Sequence, residues 1–282
     1  MTRTVLISQD LSCFGQVSME LALPIIGSCG YQTSILPTAL LSTHTGGFGK
    51  NTFLDLSNEM AKIASHWQDL NLSFDAIYLG YLGSGAIDFW IDNIVNFNSE
   101  GNIILLDPAM ADHGKLYSGF DETYVEKMQE LASNATILTP NMTEALLLLD
   151  KDPKQVKDSS LAFAKKVAKQ LSKKFKIEQI IITGIALSDK IIGIVGYDHG
   201  NLWTIKRNKI SRSFFGTGDM FASSLLAAYL SNHDLKLASQ LAAEFIETAI
   251  NHTDERQDSR LGPNYSAGLM RLVEKLSVNN EH

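Results

Sequence analysis

The sequence predicts a three-layer α/β/α fold built on a central, mostly parallel sheet. Two observations lead there. Short apolar, β-branched runs alternate with longer stretches of helical period, the pattern of strands joined by crossover helices. Several of those runs are apolar at nearly every position, as strands covered on both faces must be.

The elements follow in order. The run TVLIS at 4–8 opens the sheet and leads into a helix over 17–29. QTSIL at 32–36 is the next strand, followed by a helix over 52–69; AIYLG at 76–80 is the third, followed by a helix over 84–98. IILLD at 103–107, residues 136–138 and IIIT at 180–183 continue the series, with helices over 122–133 and 158–174. Strands near 189–197 and 201–206 form a hairpin turning at Asp198-His199-Gly200, whose residue types suit a tight turn. Residues 217–277 read as three helices, broken near His233-Asp234 and Gly262-Pro263. No linker of low complexity and no repeat interrupts the chain, so a single domain over 1–282 is expected.

Composition narrows the function classes. Of 282 residues, 45% are hydrophobic and 20% charged, ordinary for a protein with a full core. The net charge is −7 and no basic run of five residues occurs; Lys173-Lys174-Phe175-Lys176 closes a helix and suits its C-terminal dipole. Nucleic acid and membrane are therefore not expected as partners. The two cysteines, Cys13 and Cys29, are too few for a disulfide framework and read as buried, small apolar residues in a reducing, cytoplasmic setting. The first residues run straight into a strand without a signal-peptide apolar region, and nothing approaches the ~20 apolar residues of a membrane span.

Ligands of open α/β sheets bind beyond the carboxyl ends of the strands. The residues to weigh are thus 9–12, 43–47, Asp107-Pro108, Thr139-Pro140-Asn141 with Glu144, and Thr183-Gly184. Two nucleotide signatures fail. Gly49-Lys50-Asn51 resembles the tail of a P-loop, but His44 stands where its first glycine belongs and Asn51 replaces Ser or Thr. Gly216-Thr217-Gly218 lacks the third glycine of a dinucleotide fingerprint, because Phe221 is there.

The stretch SFFGTGDMFA at 213–222 is the most informative. Gly216 and Gly218 allow a tight turn that presents bare N–H groups at the start of a helix, a ready site for an anion. Fixed donors there stabilise a phosphoryl group in transfer, one donor being worth about 2.7–4 kcal/mol in a transition state. Asp219 in the same turn can accept the proton of an attacking alcohol, although a carboxylate near pKa ~4 is a weak base for it. A bland reading stands beside this one: Thr217 caps the helix, Asp219 complements its dipole and Gly216 turns the chain. In TPNMTEA at 139–145, Asn141 and Glu144 share one face of a first helical turn, where they can hold the water shell of Mg²⁺ or form a capping box, or both. His44 is read as a local hydrogen-bonding residue, and Trp67, Trp90 and Trp203 as packing residues.

These segments, QDLSCFGQVS, LPTALLSTHTGGFG, DPAMADHGKLY, TPNMTEA and FFGTGDMFASSL, together resemble the pyridoxal (pyridoxamine) kinases of the ribokinase superfamily. The resemblance runs through nearly the whole chain in family order. It implies a ribokinase-like fold, ATP and Mg²⁺ as cofactors, phosphorylation of the 5′-hydroxymethyl group of a vitamin B6 vitamer, and a homodimer. Residue by residue, it implies Asp219 as the base and Gly216, Thr217 and Gly218 as the anion hole. Asn141, Thr183, Gly184 and Lys209 would contact the nucleotide, with Asp107 and Glu144 near the metal. Asp10, Ser12 and Thr45 would grip the ring, and residues 111–117 would form a mobile region over the site. Two departures stand out: Asp10 occupies a position where some relatives carry serine, and Phe214-Phe215 replace a reactive cysteine of others. Two rivals remain open: hydroxymethylpyrimidine (phosphate) kinase, a close cousin, and a non-catalytic ligand-binding protein on the same fold.

Overall fold

Strand Thr4–Ser8 lies between Gln32–Ile35 and Ala76–Leu79 and runs parallel to both. In the computed structural model, which describes residues 2–99, 101–158 and 160–279, the chain is an α/β protein with a large, mostly parallel sheet. Its contacts separate two compact units, Met1–Ala86 with Ile210–His282, and Ile87–Lys209.

In the first unit Val5, Leu6, Ile7 and all of Ala76–Leu79 are withdrawn from solvent, which explains why these strands carry no polar alternation. Helix Met19–Ser28 packs against Thr217–Asn232, which in turn packs against Leu235–Asn251 and Ser266–Asn279. Helix Thr217–Asn232 is buried from Met220 through Ala228 and at Leu230; a helix enclosed on every side needs no polar face. Tyr31 reaches it from the sheet edge, its hydroxyl donating to the Ala227 carbonyl at 3.0 Å. The break expected at 233–234 is present: His233 takes φ 52, and Asp234 caps the next helix by accepting from Leu237 N–H at 2.9 Å.

One expectation changes here. The helix expected over 52–69 begins only at Ser57, because Phe53–Asp55 is a strand antiparallel to Ala39–Leu41, itself parallel to Leu11–Ser12. Asp55 then ends the strand by accepting from Ser57 N–H at 2.7 Å. The partner strand lies a loop away, and local periodicity carries no trace of such pairing. The cysteine expectation also fails: Cys13 is exposed and Cys29 is half-buried, with burial pushing its thiol up to about 12.

In the second unit Ile137–Leu138 lies between Ile103–Leu106 and Gln179–Ser188, all parallel. Two antiparallel strands, Ile191–Asp198 and Asn201–Asn208, extend this part of the sheet. His199 and Gly200 both have positive φ, 45° and 89°, as a two-residue hairpin turn requires. Helices Ser84–Phe97 (in large part), Glu122–Ala132, Met142–Leu147 and Leu161–Phe175 complete the unit. Among the described residues no helix is long and apolar enough to cross a membrane.

Gly196 illustrates the fit of this hairpin. The indole of Trp203 lies over its bare backbone, and a Cβ added at Gly196 would stand 2.0 Å from the Trp203 ring. Gly196→Ala is therefore expected to destabilise the protein by about 1–3 kcal/mol through overpacking. A denaturant melt of the variant with an unchanged midpoint contradicts this account.

Candidate active site

Helix Thr217–Asn232 has Gly216 at its N-cap, at φ 80, ψ −2. The position demands glycine twice over: the φ is left-handed, and a Cβ would stand 2.4 Å from the Gln16 carbonyl oxygen. Gly216 brings no side chain to cap the helix, and Thr217, read from sequence as the cap, is instead the first helical residue, its hydroxyl donating to the Phe214 carbonyl at 3.4 Å. The positive end of this 16-residue helix thus has no side-chain cap at Gly216.

Asp219 stands in that first turn. The residue keeps partial access to solvent, while protein surrounds its carboxylate on most sides. This enclosure pushes its pKa up to about 7; the neighbouring Asp10 charge adds to the rise, and N–H donors from Ser18 and from Asp219 itself oppose it. The weak base expected from sequence is therefore a base poised near neutrality, a change made first by burial and then by the Asp10 charge.

Asp10 and Ser12 lie just past strand Thr4–Ser8, 3% and 0% exposed, so the turn after the first strand points into the protein rather than to water. Ser12 donates its hydroxyl to the Asp10 carboxylate at 2.9 Å. Burial raises the Asp10 pKa, and hydroxyl donors from Ser18 and Ser12 restrain the rise. Ser18 is a residue that sequence reasoning passed over. It resembles an ordinary serine N-cap of helix Met19–Ser28, yet it makes no cap bond and takes φ 48, ψ −123. Such a conformation costs a non-glycine residue about 1–3 kcal/mol.

Thr45 is exposed in the loop that follows Ala39–Leu41. Its neighbour His44 is buried and spends both ring nitrogens: Nδ1 accepts from Gly46 N–H at 3.0 Å, so Nε2 carries the proton and donates to the Arg260 carbonyl at 2.7 Å. Arg260 returns the contact, donating to the Gly47 carbonyl at 3.1 Å and laying its guanidinium over the Phe48 ring at 4.7 Å. The adjacent Ser259 carbonyl accepts from Phe215 N–H at 3.3 Å. One segment, 258–260, thereby anchors both the Thr45 loop and the turn that carries Asp219.

In the second unit the capping box read from sequence is present. Asn141 Oδ1 accepts from Glu144 N–H at 3.0 Å, and Glu144 Oε2 accepts from Asn141 N–H at 2.8 Å. The same pair reaches further. Asn141 Nδ2 donates to the Ala111 carbonyl at 2.7 Å, and Glu144 Oε1 accepts from Met110 and Ala111 N–H at 3.2 and 3.5 Å. Helix Met142–Leu147 thus pins the chain just beyond Asp107, and the Thr143 hydroxyl accepts from Gly114 N–H at 3.0 Å. Residues 111–117 form a small hairpin, Ala111–Asp112 with Lys115–Leu116. Burial, then repulsion from Asp107, holds the Glu144 carboxyl well above its usual range.

Thr183 pairs with Asn141, its N–H donating to the Pro140 carbonyl at 3.0 Å. Thr183 and Gly184 form a bulge in Gln179–Ser188, with register shifting between Ile182 and Ile185 and Gly184 at φ 69; a bulge re-aims a strand end away from its ladder. Lys209 continues the last strand, with an exposed side chain and its N–H on the Lys190 carbonyl at 2.8 Å. The first unit thus assembles Asp10, Ser12, Ser18 and Asp219, with Thr45 in a loop anchored nearby in the chain's contacts. The second assembles Asp107, Asn141, Glu144 and Thr183–Gly184, whereas the Lys209 N–H bonds to the Lys190 carbonyl, just before the neighbouring hairpin strand.

A family model described as phosphomethylpyrimidine kinase matches residues 26–264. The chain belongs to that family. Among solved structures, a Bacteroides thetaiotaomicron protein assigned to the phosphomethylpyrimidine kinases resembles it with TM-score 0.90 at 34% identity, covering 98% of this chain and 94% of that one. An orthorhombic form of that protein, with pyridoxal, gives TM-score 0.89 and 33% identity over 98% and 96% of the two chains. Pyridoxal kinase from Lactobacillus plantarum gives TM-score 0.86 and 27% identity, covering 100% and 99%. In sequence, a pyridoxine/pyridoxal/pyridoxamine kinase of Bordetella avium is 26% identical over 264 residues, 86% of this chain and 82% of that protein. This member of the phosphomethylpyrimidine kinase family is a kinase with the ribokinase-like α/β fold of these relatives.

The Asp219 environment has a consequence for stability. Its folded pKa, about 7, lies above the ordinary value of 3.8, so the folded protein binds this proton more tightly than the unfolded chain. The stabilisation is fully present below the unfolded pKa and is lost as pH rises through about 7. Asp219→Asn removes the charge while keeping the side-chain size. The variant is expected to melt at a higher temperature than the wild type at pH 8, with the advantage shrinking as pH falls and vanishing only below the ordinary value of 3.8. A difference independent of pH, or of opposite sign, refutes the enclosed carboxylate.

Proposed function

We propose that this kinase transfers the γ-phosphoryl group of ATP to the 5′-hydroxymethyl group of a vitamin B6 vitamer. The observation that carries the reading is Asp219. It is an enclosed carboxylate, on a residue that keeps partial solvent access, with its pKa raised to about 7, on the first turn of a helix whose N-terminus has no side-chain cap. A base near neutrality suits proton removal from an alcohol at physiological pH, and a helix N-terminus without a side-chain cap suits the charge of a phosphoryl group in transfer.

In this proposal the acceptor ring is held by Asp10, Ser12 and Thr45. Asp219 orients the hydroxyl and takes its proton as the oxygen attacks phosphorus in line, while the N–H groups of 216–218 receive the transferring group. Asn141, Thr183, Gly184 and Lys209 contact the nucleotide. The donor set for Mg²⁺ is modest: among the described residues no three His, Cys, Asp or Glu side chains cluster as a cage, and both Glu144 oxygens already accept backbone N–H groups. That suits a water-rich Mg²⁺ held by one or two carboxylates and the phosphates, with Asp107 as the nearer ligand and Glu144 as its neighbour through water. A bound divalent ion would relieve the repulsion between those two carboxylates and neutralise phosphate charge. The chain is further proposed to work as a single kinase domain and a cytoplasmic homodimer, on the strength of the family resemblance.

The acceptor is argued from the relatives: the Lactobacillus and Bordetella proteins are named for B6 vitamers, and the Bacteroides protein was crystallised with pyridoxal. The family description itself favours a second reading, phosphorylation of hydroxymethylpyrimidine or its phosphate. Both acceptors are flat heteroaromatic rings bearing a hydroxymethyl group, so the polar atoms around the ring must discriminate.

Two measurements test the proposal. Asp219→Asn is expected to lower kcat at least ~10²-fold with ATP binding retained, and to abolish a wild-type rise in kcat/KM through about pH 7. Near-normal turnover in the variant removes Asp219 from the mechanism. With saturating Mg·ATP and a panel of acceptors, kcat/KM for at least one B6 vitamer is expected to exceed that for hydroxymethylpyrimidine by about tenfold or more. The reverse ranking reassigns the acceptor and leaves the kinase chemistry in place.

A further inference from the structure

The geometry points to His44 as a positioning residue for this reaction: it turns the chain around Thr45 and fastens that turn to the segment that holds Phe215, the residue before Gly216. A histidine with a free ring nitrogen would suggest acid–base work. His44 has none. It is 5% exposed, its Nδ1 accepts from Gly46 N–H at 3.0 Å, and its Nε2 donates to the Arg260 carbonyl at 2.7 Å. A side chain that accepts from the N–H two residues on is the device by which Asn and Asp hold turns. The imidazole does the same for 44–46, with Thr45 in the middle, and keeps a donor on its far edge for a carbonyl 216 positions along the chain.

The faces of the ring are fixed as well. Phe48 meets it edge-on at 4.8 Å, and Phe215 tilts against it at 5.0 Å. Two glycines make the room. A Cβ at Gly15, whose φ is 98, would stand 2.4 Å from His44 Cδ2, and one at Gly46 would stand 2.3 Å from the Phe215 ring. The His44 N–H donates to the Phe14 carbonyl at 3.4 Å, so the chain just after Ser12 joins the same knot. Within 44–46 only Thr45 is exposed. Its backbone is thus set from inside the protein, against the residue that leads into the glycine turn of Asp219. An acceptor ring gripped by Thr45 then meets the base at a constant offset, which is how a positioning group aids reaction without touching the substrate.

This role rests on the proposed alcohol-kinase reading, and the test separates the two. Steady-state kinetics use Mg·ATP and whichever of pyridoxal and hydroxymethylpyrimidine the wild type turns over. They compare wild type, His44→Asn, His44→Gln, His44→Phe, Thr45→Ala and the His44→Gln/Thr45→Ala double variant. Asn can keep the bond to Gly46 but is too short for Arg260; Gln can reach Arg260 but loses Gly46; Phe fills the space with neither bond. His44→Asn and His44→Gln are each expected to raise KM for the acceptor about fivefold, and His44→Phe about tenfold or more, the worth of one and then two hydrogen bonds. The kcat and the KM for ATP are expected to stay within about twofold. With Thr45→Ala already present, adding His44→Gln is expected to change the acceptor KM by no more than about twofold, since the group being positioned is gone. Unmoved acceptor KM in both the Asn and Gln variants overturns this role while wild-type turnover upholds the kinase. So does a His44→Gln effect that persists in full beside Thr45→Ala. Failure of all three His44 variants to fold, or an equal rise in both KM values, assigns His44 to structure and overturns the role as well. A wild-type protein that phosphorylates neither acceptor overturns the proposed function and this role together.

Discussion

Enclosing a carboxylate in protein is costly, and the site depends on how this chain meets that cost. Asp10, Glu144 and Asp219 are all surrounded by protein, and all three have pKa values raised first by that burial. Their partners are N–H and O–H groups: the Ser12 hydroxyl for Asp10 and the N–H groups of Met110, Ala111 and Asn141 for Glu144, while donors of Ser18 restrain the rise at both Asp10 and Asp219. Neutral donors hold a carboxylate in place without cancelling its charge. A lysine or arginine partner would have depressed the pKa and spent the charge inside the protein. Donor-held carboxylates stay available to a cation, a hydroxyl or a proton brought by a ligand.

Fixing those donors requires backbone in uncommon conformations. Gly216 turns at φ 80 beneath the Gln16 carbonyl, where no other residue fits. Ser18 takes φ 48 close to the same turn, and the bulge at Thr183–Gly184 redirects a strand end. Strain of this kind is affordable only when regular structure over-determines it. Here the support is the buried strands Thr4–Ser8 and Ala76–Leu79 with the enclosed helix Thr217–Asn232 in one unit, and the three parallel strands in the other. The 258–260 segment adds a cross-tie, since its carbonyls receive both His44 and Phe215.

Much of this was legible in the residues. The apolar runs, the hairpin at Asp198–Asn201 and the helix break at His233 all appear where local propensity puts them, because each is decided by neighbours a few residues away. The capping box at Asn141 and Glu144 was legible for the same reason. The short strands Leu11–Ser12, Ala39–Leu41 and Phe53–Asp55 were not; each is stable only as part of a sheet whose members are distant in sequence.

By itself, the sequence determined the fold class, the glycine turn before Asp219 and the membership of each residue in a motif, since these follow from composition, period and residue type. Tertiary structure alone decided the chemistry of those residues. Thr217 became a helical residue rather than a cap because Gly216 could take the left-handed turn beneath Gln16. Asp219 moved from an ordinary aspartate to a group titrating at about 7 because protein surrounds it. Ser18 turned from a nominal cap into a strained, buried residue near both Asp10 and Asp219, 209 positions apart, because the fold brings them together. A pKa depends on the dielectric and the charges within a few ångströms, and which groups those are is fixed only when the chain has folded.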